Sequence, residues 1–214
     1  MRVISIVNQK GGVGKSTITI NLARAIQRDD ASVAVIDCDP QGTTTDWAAL
    51  NKKHGEFFPV HHYHIKDLPH RLSEFNQYDV VLIDGAPRLE ELSVAIIKVS
   101  DVILMPVTPS PNDVWASLSF VDLVKERMKV KPDLRAAFIV NRQKPNTNAI
   151  NEVRNALSNI EIPVLDNGIN DRIAYAKTLG LGVTVFEDKG NASSDIIKIK
   201  NEILNRVINN EQTS

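Results

Sequence analysis

The sequence predicts an α/β fold of three layers, a mostly parallel twisted sheet with helices on both faces. Three observations carry this. Short apolar runs rich in valine and isoleucine recur along the chain, as strands buried on both faces require. Segments with the apolar spacing of helices lie between them. Aspartate and asparagine residues fall where the apolar runs end, the edge at which parallel sheets present ligands. The 214 residues, 43% hydrophobic and 24% charged, suit a single large-core domain over residues 1–214.

In chain order, Val3–Val7 reads as the first strand, and Ser16–Arg28 as a helix with Ile18, Leu22, Ala25 and Ile26 on one face. Further strands are expected at Ser32–Asp37, Tyr78–Asp84, Asp101–Pro106 and Leu134–Asn141, with short edge strands at Ile162–Leu165 and Val183–Phe186. Helical patterns occupy Asp67–Phe75, Glu90–Val99, Asp113–Met128 and Asn148–Ser158, with Asp113 as an N-cap. The last segment, Ser194–Asn209, carries an isoleucine-rich face. Its polar face mixes Lys198, Lys200 and Arg206 with Asp195 and Glu202, which suits core packing better than a membrane surface. Asn8, Asp37, Asp39, Asp84 and Asn141 fall at or just past strand ends, so they are expected to converge on one site.

Composition narrows the function classes. A net charge of -1 gives no global basic field for nucleic acid. Cys38 is the only cysteine, which excludes an intrachain disulfide and is too few for a cluster-bridging reductase. No apolar run approaches the roughly 20 residues that span a bilayer. A cytoplasmic protein with no membrane partner is the expectation. The five histidines, His54, His61, His62, His64 and His70, read as a surface or loop segment.

The chemistry centres on Lys10-Gly11-Gly12-Val13-Gly14-Lys15-Ser16-Thr17. Gly14-Lys15-Ser16 fills the end of the phosphate-loop pattern G-x-x-x-x-G-K-[ST], but Gln9 holds its first glycine position. A strand, a glycine-rich turn and a helix still follow in the required order. The glycines let backbone N–H groups turn inward around phosphate oxygens, and the helix adds its positive end. Lys15 would reach the β- and γ-phosphates of ATP, Ser16 would ligate Mg2+, and Thr17 would bond the α-phosphate. A turn that merely caps a helix is the competing reading, and the strand-end carboxylates weigh against it. Asp84, ending an apolar strand, is placed to hold the metal, and Asp37 to support the loop or the metal shell.

These residues resemble a family. KGGVGKST, DCDPQG at Asp37–Gly42, VVLIDGAP at Val80–Pro87 and PVTPSPND at Pro106–Asp113 look like the ParA/MinD superfamily of deviant Walker A ATPases. The likeness covers essentially the whole chain and is strongest to the short ParF-like plasmid partition proteins. It implies a P-loop NTPase that binds ATP or ADP with Mg2+ and hydrolyses ATP slowly, stimulated by a partner. Lys10 would cross an ATP-dependent homodimer to the partner's nucleotide. Asp39 would sit in the first switch, near the metal, and orient the attacking water. Asn141, with Arg142 beside it, would bind adenine. Pro106, Pro109 and Pro111 would lie near the dimer interface. A ParB-like adaptor and non-specific DNA, held through Arg172, Lys177, Lys198, Lys200 or Arg206, would be the partners, placing the protein on the nucleoid. Gly85-Ala86 departs from the D-x-P-P of many members and would reshape the second switch. A MinD-like membrane-associated division regulator and a P-loop biosynthetic ligase or kinase are the alternatives.

Overall fold

The computed structural model describes residues 1–86, 90–110, 118–144, 149–158 and 160–208. Pro87, Pro111, Asp113 and Asn148 lie outside them, as does the side chain of Arg206. The element order is β1 (Arg2–Ile6), α1 (Lys15–Gln27), β2 (Val33–Asp37), α2 (Thr43–Asn51), β3 (Val60–His62), α3 (Leu68–Arg71), β4 (Val80–Asp84), α4 (Glu90–Val99), β5 (Val102–Val107), α5 (Leu118–Val130), β6 (Arg135–Val140), α6 (Ala149–Ser158), α7 (Ile173–Gly180) and α8 (Ala192–Glu202).

The six strands form one parallel sheet in the order β3-β2-β4-β1-β5-β6. Both faces are covered. Val3, Val81 and Ile83 point into a core shared with Ile96, Phe120, Val124 and Val153. Ile4, Ile6 and Leu82 point into a second core closed by Ile18, Leu22, Ile196 and Ile199. Alternate residues of each strand therefore serve opposite layers, which is why the strands read as continuous apolar runs. The chain winds outward from β1 in both directions, so the order reverses beside β1, and the crevice above that point is where ligands of such sheets bind. Among the described residues, no helix is long and apolar enough to cross a membrane.

Four local expectations change. Val183–Phe186 is not a strand. Its backbone groups bond side chains and nearby turns instead: Val185 N–H donates to Asn21 Oδ1 at 2.9 Å, the Trp47 indole donates to the Val183 carbonyl at 3.1 Å, and Val183 N–H donates to the Thr178 carbonyl at 3.0 Å. Ile162–Leu165 contributes only an isolated bridge, Val164 to Phe138. Two helices, α2 and α7, and the strand β3 appear where no periodic pattern announced them. β3 carries His61 and His62 at the sheet edge, so the histidine segment is partly strand. Asp67–Phe75 is a single α-turn followed by a 3-10 turn.

The last helix packs as expected. Ile196, Ile199, Ile203 and Val207 are buried in the second core, and the helix continues to Ile208 with π-type bonding.

Candidate nucleotide site

The glycine-rich loop joins the end of β1 to the start of α1. Gly12 and Gly14 adopt left-handed backbone at φ 76° and 93°, a region that favours glycine. A Cβ on Gly11 or Gly12 would meet nothing within 4 Å, so both face open space. A Cβ on Gly14 would come within 2.2 Å of Asn141 Nδ2. Glycine is thus required at Gly14 twice over, by backbone conformation and by the approach of Asn141. The Ile18 N–H bonds the Gly14 carbonyl at 2.9 Å, which starts α1 with its positive end at the loop.

Above the loop lies a cavity of about 320 Å³ bordered by Gly11, Gly12, Lys15, Ser16, Asp39 and Thr43. A second cavity of about 280 Å³ is bordered by Asn141, Asn170, Asp171, Arg172, Tyr175 and Leu179. Gly14, Thr17 and Arg142 line both, which makes one cleft with two halves.

The first half is charged and buried. Lys15 Nζ donates to the Lys10 carbonyl at 3.2 Å, folding the lysine back over the cradle. Burial lowers its pKa, while Asp84 and Asp39 oppose that fall. Asp84 is fully buried. Desolvation, aided by the neighbouring Asp37, pushes its carboxyl up to about 7, against the Ser16 and Thr44 hydroxyls and Lys15. Thr44 Oγ1 donates to Asp84 Oδ2 at 2.7 Å, whereas Asp84 Oδ1 is buried without a hydrogen bond. A buried carboxylate oxygen with no donor, beside a serine hydroxyl, fits the oxygen-ligated shell of magnesium. Among the described residues, no three His, Cys, Asp or Glu side chains gather as a metal-holding group. Magnesium is commonly held by one or two carboxylates, with phosphate and water completing its shell.

Asp37 serves as scaffold. Its Oδ1 accepts the Asp39 N–H at 3.0 Å, and its Oδ2 accepts both the N–H and the hydroxyl of Thr45, at 2.9 and 2.8 Å. Asp39, nearly buried, accepts the Gln41 N–H at 2.9 Å and borders the cavity. The turn carrying Asp39 is therefore fixed by the aspartate two residues before it. Burial, with Asp37 and Asp84 nearby, raises the Cys38 thiol to about 12, so it is not a nucleophile. Thr44 and Thr45 are site residues that the sequence reading missed; the only signal was their position just after DCDPQG.

Asn141 ties the halves together. Its amide donates to the Val13 carbonyl at 2.7 Å, and its Oδ1 accepts the Arg142 N–H at 2.8 Å. Each end keeps one further bonding position that a base edge can use. Arg142 holds φ at 55°, unfavourable for a residue with a side chain, at the point common to both halves.

The basic residues expected to meet DNA do not share one situation. Lys200 is buried and paired with Asp29, which removes it from any binding face. Arg172 borders the second cavity and pairs with Asp195 at 2.9 Å. Lys177 is exposed and pairs with Asp188 at 3.1 Å, and Lys198 is exposed.

Known proteins match this arrangement. Maintenance of carboxysome distribution protein A of Halothiobacillus neapolitanus is 30% identical over 213 residues, covering 96% of this chain and 95% of that protein. The chromosome partitioning protein ParA of Caulobacter vibrioides is 24% identical, covering 96% of this chain and 95% of its own. Cobyrinic acid a,c-diamide synthase of Mycobacterium smegmatis, solved with an ATP analogue and magnesium, shares the fold. It superposes with a TM-score of 0.78 at 18% identity, over 96% of this chain and 95% of that one. The model of the CobQ/CobB/MinD/ParA nucleotide binding domain matches residues 4–185, and the chain belongs to that family.

Proposed function

We propose that the chain is a positioning ATPase of the ParA type, which binds ATP with magnesium, closes as a homodimer and moves a cargo along DNA. The single observation that carries this is the two-part cleft: a glycine cradle with Lys15 at its floor and Asp39 at its wall, opening into a second pocket bordered by Asn141, Arg172 and Tyr175. A relative named for carboxysome distribution and another for chromosome partitioning support positioning over biosynthesis. The cargo is a plasmid, a chromosome region or a protein assembly, recruited through a ParB-like adaptor, and the working location is the nucleoid.

The residues divide the work. The N–H groups of Gly11 to Thr17 bind the phosphates, and Lys15 offsets their charge. Ser16 and Asp84, with Asp39 nearby, would hold magnesium, which supplies Lewis-acid neutralisation of the phosphate charge. Asp39, its turn fixed by Asp37, orients the attacking water. Lys10 reaches the nucleotide of the second protomer and stabilises charge in the transition state, as an arginine finger does. Asn141 and Arg142 meet the nucleoside.

ATP turnover with and without magnesium, together with the mass of the particle by light scattering, tests the core of this. Turnover that needs magnesium and a mass that doubles with ATP but not ADP are expected. No turnover in the presence of DNA and adaptor, or a monomer in every state, would refute it. DNA binding measured with ATP, with ADP and without nucleotide tests the rest, and equal affinity in all three would remove DNA from the proposal.

A further inference from the structure

The second half of the cleft has a rim, Asn170 to Arg172, that no phosphate-loop pattern contains. The Asn170 region runs beside Gln143 as a short extension of the sheet: Gln143 N–H donates to the Ile169 carbonyl at 2.8 Å, and Asp171 N–H to the Gln143 carbonyl at 2.9 Å. This sets the rim against Asn141 and Arg142. What holds the rim's side chains comes from elsewhere, from the first turn of α8. Asp195 is 6% exposed and accepts four donors from two rim residues. These are Asn170 N–H at 3.2 Å, Asn170 Nδ2 at 3.0 Å, Arg172 Nε at 2.9 Å and Arg172 Nη2 at 3.4 Å. The Tyr175 hydroxyl, on the same wall, donates to the Ala192 carbonyl where α8 begins.

From this geometry we infer that Asp195 is a positioning residue for nucleoside selection: it shapes the pocket that distinguishes a nucleotide from a bare polyphosphate. The inference rests on the nucleotide reading of the cleft. A carboxylate that takes four donors leaves Arg172 and Asn170 one arrangement each, so the pocket is formed before ligand arrives. The phosphate cradle, built from Gly11 to Thr17, touches none of these bonds. Binding should therefore split into a phosphate part that ignores Asp195 and a nucleoside part that depends on it. The arrangement also commits Arg172 to the nucleotide cleft in the single chain.

Equilibrium binding of ATP and of inorganic tripolyphosphate, each with magnesium, to the full chain and to Asp195→Asn tests this. ATP should weaken about tenfold or more, as expected for loss of a charge-assisted network, while tripolyphosphate binds as before. The preference for ATP over GTP should shrink in parallel, which a general loss of packing would not produce. If Asp195→Asn does not fold, Arg172→Ala is measured against the same two ligands and should show the same split at about threefold or more. ATP binding unchanged, or ATP and tripolyphosphate weakened alike, overturns the inference. Failure of the unmodified chain to bind either ligand would instead overturn the nucleotide reading beneath it.

Discussion

The two halves of the cleft are built in opposite ways. The half where we propose the phosphates bind comes mainly from one unbroken stretch, Gly11 to Thr17, with Asp39 and Thr43 facing it. The half where we propose the base binds is assembled from Gly14 and Thr17, Asn141 and Arg142, the 170–172 rim and one wall of α7, with Asp195 behind it. The first half takes its shape from glycine dihedrals and a helix end, which are local. The second takes its shape from side-chain bonds between separate segments, such as Asn170 to Asp195, 25 residues apart, and Asn141 to Val13, 128 apart. Damage to the first should remove every phosphate ligand, and damage to the second should alter which ligand is preferred.

The largest effect is expected from Lys15→Ala, which takes the only described lysine from the cradle floor. ATP turnover should fall by about two orders of magnitude or more, and tripolyphosphate binding should be lost with it. Turnover close to that of the unmodified chain would show that the phosphate half is not where the chemistry resides.

Next is the pH response of Asp84. Its folded pKa of about 7 lies above the unfolded value of 3.8, so between those values the folded chain holds a proton that the unfolded chain has released. Stability of the nucleotide-free, magnesium-free protein should be greatest below about pH 4 from this group and fall as pH rises to about 7. The slope is at most about 1.4 kcal/mol per pH unit. Chemical denaturation at pH 5 and pH 8 measures it. Asp84→Asn should flatten the slope, and an unchanged slope would show that the buried carboxylate does not titrate this way.

Gly14→Ala should cost about 2 kcal/mol, combining left-handed strain with displacement of Asn141. Because Gly14 lines both halves, ATP and tripolyphosphate should both weaken. Adding Asn141→Ala should recover the steric part of the loss but not the strain. Strict additivity of the two substitutions in thermal unfolding would show that they do not touch.

The smallest change is expected from Arg142→Gly. Relief of the positive φ should raise stability by about 1 kcal/mol, while ATP binding weakens a few-fold, the usual exchange at a strained site. A variant no more stable than the parent would mean that this backbone stores no strain.

Much of the phosphate half was legible in the sequence. β1, the loop and α1 are where strand, glycine and apolar spacing place them, and Asp37, Asp39 and Asp84 do meet there. Less legible was α2, whose Thr43-Thr44-Thr45 start has little helical preference. It forms because Asp84 and Asp37 bind Thr44 and Thr45, and because Trp47 stacks on Phe58 at 5.4 Å. β3 has three residues, too few for periodicity to register. Val183–Phe186 misled in the other direction, since its β-branched residues suit a strand but it pairs with none of the described strands.

By itself, then, the sequence determined the parallel sheet and the phosphate cradle, because dihedral preference and apolar period act over a few residues. Tertiary structure alone decided the base half and the fate of the basic residues. Lys198 and Lys200 are two apart on one helix, yet one faces solvent and the other is buried against Asp29, because α8 packs on α1. Arg172 looked like a surface cation and became part of the rim, because Asp195, 23 residues later, folds back beneath it. Those outcomes depend on which segments meet, and spacing along the chain does not encode that.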